Sequence, residues 1–318
     1  MSVAAPPDAR SSRPLPRLAL RHRLAEHGVD RVLLLLAPGA AFLVLVFLYP
    51  FINGLVASFQ VSATSYSQAA IDFPHSPFAN YLEFFTVPYN RNSIFITLGI
   101  AIPVALVNVG FSVPIAYRMR GRFRFKRTIT TLLVVPFTFG AVLIAAGMLD
   151  YFDPTKGWFN RILMDLHIIQ QPIQLIHNYW GVAISLIISG YPFAFLLILS
   201  YVSGIDPSLE RAAATQGARS WQRFRHITLP LLAPGLAITF CLSFVFAFTV
   251  FPSAVLVGDP TGSTRVLSVV IADAQSNFDL NMANAAGMVM ATIELLVIGA
   301  VLLLRSRLYR GATTGGKG

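Results

Sequence analysis

Charged residues are scarce in this sequence. Asp, Glu, Lys and Arg make up only 12% of its 318 residues, while hydrophobic residues make up 55%. Soluble proteins carry about twice that share of charge, and a soluble chain of this composition would lack the polar side chains to cover its surface. The single cysteine excludes a disulfide scaffold. Together with a mean hydropathy of +0.65, these shortages indicate a membrane protein.

The residue patterns of common catalytic and metal sites are also missing. The sequence contains no Gly-x-x-x-x-Gly-Lys-Ser/Thr phosphate loop and no Gly-x-Ser-x-Gly nucleophile motif. Its six histidines include no pair at helical i, i+4 spacing, and Cys241 stands alone in an apolar run. We therefore predict no metal site, no enzymatic activity and no cofactor bound by this chain.

Six long apolar stretches fill most of the chain. Each has about 20 residues or more, the length that a helix needs to cross the hydrocarbon core of a bilayer. The stretches are continuous rather than alternating, which favours helices over a barrel. They predict an all-α, polytopic membrane protein whose six transmembrane helices lie near 32–58, 94–117, 128–149, 180–202, 231–257 and 285–304.

The basic residues predict the orientation of these helices. Of the 24 Lys and Arg residues, 20 fall in the N-terminal tail, the second and fourth loops and the C-terminal tail. Such a bias marks the cytoplasmic side, so both termini are predicted to be cytoplasmic. The predicted parts are a cytoplasmic tail over 1–31, a membrane domain over 32–304 and a second tail over 305–318. The net charge of +10 is thereby explained by topology and does not indicate nucleic-acid binding.

Acidic residues collect on the opposite side. Eight of the 14 acids lie in the three predicted outer segments. One explanation is that the basic residues are simply kept inside. The other is an acidic mouth that concentrates a cationic solute. The eight are Asp72, Glu83, Asp150, Asp153, Asp165, Asp259, Asp273 and Asp279.

The fourth loop, residues 203–230, is predicted to form a helix–turn–helix. Asp206 followed by Pro207 is a strong helix start, and Gly217 is a natural stop. Glu210, Ala213 and Gly217 would share a face with little side-chain bulk, suited to docking. Ser220 is placed to cap a second short helix that ends at Leu229-Pro230. From the residues alone, a docking surface and an ordinary hairpin packed on its own bundle are both open.

The loop resembles the cytoplasmic signature of the membrane subunits of binding-protein-dependent ABC importers. That signature is Glu-Ala-Ala, three residues, Gly, nine residues and Ile-x-Leu-Pro, and the sequence matches it at Ala212, Ala213, Gly217, Ile227, Leu229 and Pro230. It departs at the acid position, which is Arg211, with Glu210 one residue earlier. Further resemblances to the family lie at Tyr49-Pro50, Ser58-Phe59, Asn80-Tyr81, 114–117, Val135-Pro136, 157–160, 258–260 and Thr264.

The resemblance implies a permease subunit in a bacterial inner membrane. It implies a second six-helix permease subunit, two cytoplasmic ATPase subunits that hold ATP and Mg²⁺, and an extracytoplasmic solute-binding protein. The residues implied to contact the ATPase are Glu210, Arg211, Ala212, Ala213, Gly217, Ile227, Leu229 and Pro230. The chain is most similar to the branch that carries polyamines, opines and iron, and the sugar branch is the alternative.

Three residues are candidates for the solute path. Glu294 lies near the middle of the last apolar run, where an ionised carboxylate costs roughly 2–3 kcal/mol. It is either protonated, paired with a structural partner, or in contact with a cationic solute. Tyr191 and Phe251 each precede a proline that could bend a helix beside a cavity or serve packing alone.

Two other classes of membrane protein compete with the importer subunit. A membrane-embedded enzyme would need paired acids or His and Cys clusters at one depth, whereas only Glu294 is deep. A self-contained secondary transporter would work without an ATPase and would have no use for a docking helix.

Overall fold

The described part of the chain is built from helices. A computed structural model describes residues 31–61, 73, 76–121 and 125–308, and within these residues every regular element is an α- or π-helix. The all-α prediction is confirmed. The predicted N-terminal tail lies outside the described residues except for Arg31, and the last ten residues of the predicted C-terminal tail also lie outside them.

The chain divides into two compact units, residues 1–56 and residues 57–318. The described part of the first unit contains α1 (Arg31–Leu43), a π-helical segment (Val44–Leu48) and all but the last two residues of α2 (Tyr49–Ser58). The run Pro38–Ser58 is long and apolar enough to cross a membrane, in agreement with the first predicted crossing.

The second unit contains the remaining helices. In chain order they are α3 (Ala79–Thr86), α4 (Pro88–Met119), α5 (Lys126–Thr138), α6 (Gly140–Phe152), α7 (Trp158–Asp165), α8 (Tyr179–Ser203), α9 (Pro207–Thr215), α10 (Ser220–Arg223), a second π-helical segment (Phe224–Thr228), α11 (Leu229–Phe248), α12 (Pro252–Leu256), α13 (Leu267–Ser276) and α14 (Leu280–Leu308).

Four further runs in this unit are long and apolar enough to span a bilayer. They are Pro88–Met119, Tyr179–Ser203, Ser220–Phe248 and Leu280–Arg307. Each overlaps a predicted crossing and extends beyond at least one of its predicted ends. The last of them continues past residue 304, so the helix reaches into the region predicted to be the C-terminal tail.

The crossing predicted over 128–149 is broken in the structure. The chain forms two helices there, α5 and α6, with a bend of 91° between them. Pro136 lies in the last turn of α5, and Gly140 adopts a left-handed φ of +72° at the start of α6. A proline that removes a backbone donor, followed by a glycine that tolerates positive φ, accounts for the break.

The fifth crossing ends earlier than predicted. Helix α11 ends at Phe248, and a separate short helix, α12, begins at Pro252. Phe251 is therefore the N-cap of a new helix, where its φ of −126° is outside the helical range. Pro192, in contrast, lies inside an uninterrupted α8.

Helices α4, α8 and α11 form the centre of the second unit. Their buried side chains make one large cluster around Ile100, Leu186 and Phe244. A second cluster, which includes Met119 and Leu232, fills the space where α4 and α8 end and α11 begins. The hairpin that joins α8 to α11 is attached next to this second cluster.

Candidate functional site

The first arm of the hairpin is a short helix with a well-defined start. The Asp206 side chain accepts a hydrogen bond from the backbone N–H of Ser208 at 2.8 Å, and Pro207 is the first helical residue. This N-cap and proline pair confirms the predicted start of α9. Hydrogen bonds from the Ser208 hydroxyl and N–H hold the pKa of Asp206 below its ordinary value.

The end of α9 is a Schellman motif. The N–H of Gly217 donates to the carbonyl of Ala214 at 3.0 Å, and the N–H of Ala218 donates to the carbonyl of Ala213 at 3.0 Å. Gly217 has a φ of +83°, which a residue without a side chain adopts readily. The predicted stop at Gly217 is therefore confirmed, and its backbone reverses the chain into the second arm.

The second arm is not a separate short helix, contrary to the prediction. Ser220 is the first residue of α10 rather than its cap, and the backbone N–H of Arg219 is instead satisfied by the Gln222 side chain at 2.8 Å. The helix then widens into the π-segment and continues through Pro230 into α11. A wide turn suits this position because Pro230 has no N–H to donate and its ring would crowd the carbonyl of His226.

Glu210 is the centre of a buried polar cluster. It is only 6% exposed although it lies on a loop helix. Its Oε2 atom accepts hydrogen bonds from Arg120, the C-cap of α4, and from the Tyr117 hydroxyl at 3.2 Å. Its Oε1 atom accepts a hydrogen bond from the Thr228 hydroxyl. One carboxylate thus joins the hairpin's first arm to α4 and to the π-segment of its second arm.

The charge state of Glu210 follows from these contacts. Burial by itself raises the pKa of a carboxyl group, but the hydrogen bonds from Arg120 and Thr228 and the charge of Arg120 outweigh it. The pKa of Glu210 is consequently held below its ordinary value, so the group is an anion at neutral pH. The Arg120 guanidinium also lies over the Tyr117 ring, 4.6 Å from its centroid.

Three aromatic rings extend the cluster to the surface. The Tyr117 and Phe224 rings meet edge to face with centroids 4.9 Å apart, and Trp221 stacks on Phe224 at 5.6 Å. Trp221 is 67% exposed. These residues line a groove of about 400 Å³ together with Pro114, Arg118 and Ser220. The second arm therefore presents an open aromatic surface.

The face of α9 that the sequence offered for docking is turned inward at two of its three residues. Glu210 is buried and Ala213 is half-buried, so the face that they share turns toward the protein's own bundle. The opposite face is exposed and carries Arg211 and Ala212 beside Leu209, which is 46% exposed. Gly217 remains open, since a Cβ at that position would meet no atom of the described residues within 4 Å.

The other signature residues lie near the start of α11. Ile227 and Leu229 are half-buried, and Pro230 is exposed. Of the eight predicted contact residues, the structure places Arg211, Ala212, Gly217 and Pro230 in exposed positions and turns Glu210 inward.

Tyr117, Arg120 and Thr228 were missed as members of the site. Arg120 lies in a basic run that the charge bias explains fully, and it is 90 residues from Glu210 in the chain. Nothing in the sequence pairs the two. One feature of the sequence did hint at an inward-facing Glu210. It lies one residue before the expected acid, and that shift places it on a different side of the helix.

The structure shows no direct contact that joins the three solute-path candidates into one site. Tyr191 is half-buried and stacks on Phe195 with ring centroids 6.1 Å apart. Phe251 is 41% exposed at the start of α12. Glu294 is half-buried in α14, and no hydrogen bond or ion pair joins it to another described residue. No ring contact or hydrogen bond among the described residues connects any two of the three.

Part of the predicted acidic mouth does come together. Glu83, Asp273 and Asp279 line one cavity of about 210 Å³, with Arg265 and Asn90 beside them. Arg265 pairs with Asp273 and lies over the Tyr89 ring at 4.2 Å. Asp279 accepts a hydrogen bond from the N–H of Met282 at 3.1 Å and so caps α14. Asp72 lies outside the described residues.

The chain matches a known family over most of this unit. The family model described as "Binding-protein-dependent transport system inner membrane component" matches residues 94–310, about two thirds of the chain. The matched region runs from within α4 through the hairpin to the end of α14, and it includes the whole Glu210 cluster.

Several curated proteins are similar over most of their length. The chain is 24% identical over 280 residues to the inner membrane ABC transporter permease protein YcjO of Escherichia coli, covering 86% of this chain and 93% of YcjO. It is 26% identical over 234 residues to the sulfate transport system permease protein CysT of E. coli, covering 73% of this chain and 82% of CysT. It is 30% identical over 194 residues to the spermidine/putrescine transport system permease protein PotB of Haemophilus influenzae, covering 60% of this chain and 65% of PotB.

Solved structures share the fold. A chain in the crystal structure of a bacterial alginate ABC transporter in complex with an alginate pentasaccharide-bound periplasmic protein superposes with a TM-score of 0.73 at 21% identity, covering 90% of this chain and 98% of that one. A chain from a second structure of a bacterial transporter for alginate import gives a TM-score of 0.71 at 19% identity. At these identities the likeness concerns the fold alone.

Proposed function

This chain belongs to the family of inner membrane components of binding-protein-dependent transport systems, and we propose that it couples solute passage to a cytoplasmic ATPase through the 206–230 hairpin. As a member of that family it is a permease subunit of an ABC importer, a multi-pass inner membrane protein and a transport component rather than an enzyme. The proposed membrane domain is 32–304, with both termini in the cytoplasm as the basic residues predict.

The Glu210 cluster is the observation that carries the coupling proposal. A displacement of α9 reaches the bundle only if the hairpin is held firmly to the helices behind it. Glu210 supplies that connection, since it binds Arg120 on α4 and Thr228 at the entry to α11. A loop fastened at two points moves the spanning helices when it is pushed, whereas a loose loop would absorb the push.

The proposed partners follow from this role. Two ATPase subunits would hold ATP and Mg²⁺ and press on the hairpin, and a second six-helix permease would complete the path. An extracytoplasmic solute-binding protein would deliver the solute. In support, the crystal structure of the alginate ABC transporter with a similar fold contains an alginate pentasaccharide-bound periplasmic protein.

A small cationic solute, such as a polyamine or an opine-like compound, is the proposed cargo. The supporting observations are the cavity with three carboxylates and one arginine and the half-buried Glu294 without a partner among the described residues. The relatives do not select a solute, because their names include both sulfate and spermidine/putrescine. A sugar-type solute is the alternative, and it would need no carboxylate in the path.

Purification in mild detergent tests the class of machine. Recovery of a stoichiometric ATPase with a second permease, and ATP-dependent uptake by the reconstituted complex, is the expected result. A chain that purifies alone and still transports solute would contradict the proposal and would indicate a self-contained secondary transporter.

Uptake by a Glu294→Gln variant tests the solute. With spermidine as the probe, the apparent affinity should fall roughly tenfold if the carboxylate meets the cation, a loss of about 1.4 kcal/mol. Asp165→Asn is the control, since it removes an exposed carboxylate outside the cavity. Equal spermidine affinity in both variants would leave Glu294 with a structural role only.

A further inference from the structure

Both acidic side chains of the hairpin are used within the chain. The oxygens of Glu210 are occupied by Arg120, Tyr117 and Thr228. The two oxygens of Asp206 accept from the N–H and the hydroxyl of Ser208, at 2.8 and 2.6 Å. Glu210 is therefore buried and already paired, and Asp206 serves as the N-cap of α9.

Three of the four arginines of the hairpin, in contrast, face outward. Arg211, Arg219 and Arg225 are all exposed, and in the part of the chain that the structure describes none of them forms an ion pair with a carboxylate. The hydrogen bonds from Ser208 are the main cause of the lowered pKa of the Asp206 carboxyl, and the charge of Arg211 contributes less. The exposed surface of the hairpin therefore carries an excess of positive charge.

Two further guanidinium donors lie behind this surface. Arg120 Nη1 and Arg223 Nε are buried and have no hydrogen-bond partner among the described residues. Arg118, exposed at the edge of the aromatic groove, adds another positive charge. Charge of one sign over a whole surface disfavours partners of the same sign and attracts partners of the opposite sign.

Apolar surface lies between these charges. Leu209 is 46% exposed on α9, and Trp221 is 67% exposed on α10. Ser208 and Ala212 are small and exposed on the same side of α9 as Arg211, so another backbone can approach closely there. A surface with two apolar anchors and a surrounding set of arginines suits a protein groove of matching shape better than it suits dispersed ions.

We propose that this surface, formed by Leu209, Arg211, Ala212 and Trp221, docks into an acidic groove on the ATPase subunit, and that Arg211 selects that ATPase by pairing with a carboxylate in the groove. The inference rests on the proposed function, because it needs an ATPase partner. It goes further because it states the charge of the partner's surface, which is negative. Arg211, which replaces the acid of the family signature, supplies the charge that meets the ATPase, while Glu210 makes its contacts within the chain.

Binding of the purified ATPase to the permease tests the inference. The measurement is the dissociation constant of the ATPase for the full-length chain in detergent, at two salt concentrations. Arg211→Glu should weaken binding at least tenfold, because it sets a carboxylate against carboxylates. Arg211→Lys should bind nearly as well as the unmodified chain and keep its salt dependence. The matched control is Arg307→Glu, the same charge reversal at an exposed arginine at the end of α14.

Rescue identifies the partner residue. Lysine replacements of the acidic residues in the ATPase groove, made one at a time, should include one that restores binding to Arg211→Glu and weakens binding to the unmodified chain. Unchanged affinity of Arg211→Glu for the unmodified ATPase would overturn the inference while leaving the proposed function intact. If the unmodified chain itself retains no ATPase, the proposed function fails first.

Acidic phospholipid is the competing occupant. The same binding assay is repeated in detergent with and without added phosphatidylglycerol. If Arg211→Glu loses phosphatidylglycerol binding but keeps full ATPase affinity, the surface serves the membrane and the inference is overturned.

Discussion

Arg120 and Glu210, which are 90 positions apart in the chain, form an ion pair that fixes the hairpin to the end of α4. The pair is largely shielded from water, with side chains 18% and 8% exposed. Thr228 completes the arrangement from the other side of the same carboxylate. The hairpin is thus part of the packed unit rather than an appendage, which is the property that a coupling element requires.

Glu210→Gln should destabilise the hairpin. The new amide would place an NH₂ donor among the donor groups of Arg120, Tyr117 and Thr228, and the Arg120 charge would lose its partner. The expected loss is roughly 1–3 kcal/mol, measured as a lower thermal unfolding midpoint in detergent. Arg211→Gln is the control, because it changes one charge at the neighbouring exposed residue. Equal midpoints for the two variants would show that the cluster contributes nothing.

The contribution of Glu210 to the stability of the fold should decrease at acidic pH and stay constant at neutral pH. Its folded pKa is depressed below the ordinary value of 4.5, so its stabilising effect is complete above that value. It is lost as the pH falls through the lower, folded-state pKa. The difference in unfolding midpoint between the unmodified chain and Glu210→Gln should therefore stay constant from pH 8 to pH 5.5 and shrink below about pH 4.5. A difference that changed between pH 8 and pH 6 would point to another titrating group.

The membrane helices were predictable because their signal is local. Twenty apolar residues in a row have few alternatives in a bilayer, so the overlap between predicted and observed helices at α4, α8 and α14 is expected. The bend between α5 and α6 was not predicted. A proline inside a helix often causes only a kink, and the left-handed φ of Gly140 becomes visible only in the folded chain.

The site was predictable in its backbone and not in its contacts. Asp206 with Pro207 and Gly217 determine where α9 begins and ends through neighbouring atoms alone. The partners of Glu210 come from residues 93, 90 and 18 positions away, and their meeting depends on how α4 and α11 pack. The direction of the α9 face could not be predicted for the same reason: spacing tells which residues share a face but not which way that face points.

Gly235→Ala should destabilise the contact between α8 and α11. A Cβ at position 235 would lie 2.5 Å from Cγ and 2.9 Å from Cβ of Tyr201, too close for the ring to escape by a small rotation. Overpacking of this kind costs about 1–3 kcal/mol. Gly287→Ala is the matched control in α14, where a Cβ meets no described atom within 4 Å. Unfolding midpoints of the two variants measure the difference, and a Gly235→Ala midpoint equal to that of Gly287→Ala would contradict the close approach.

Gly217→Ala should loosen the hairpin without displacing any neighbour. The space around position 217 is open, so the effect would come from the φ of +83° alone. An alanine in that conformation costs roughly 1–2 kcal/mol, and asparagine, which tolerates it better, should cost less. Gly204→Ala is the control within the same loop, because Gly204 has a φ of −78° and ordinary contacts. Hydrogen exchange of the α9 amides should quicken most in Gly217→Ala, less in Gly217→Asn and little in Gly204→Ala. If exchange quickened equally in Gly217→Ala and Gly204→Ala, the Schellman motif would not be what holds α9 in place, and the Glu210 cluster would have to hold it alone.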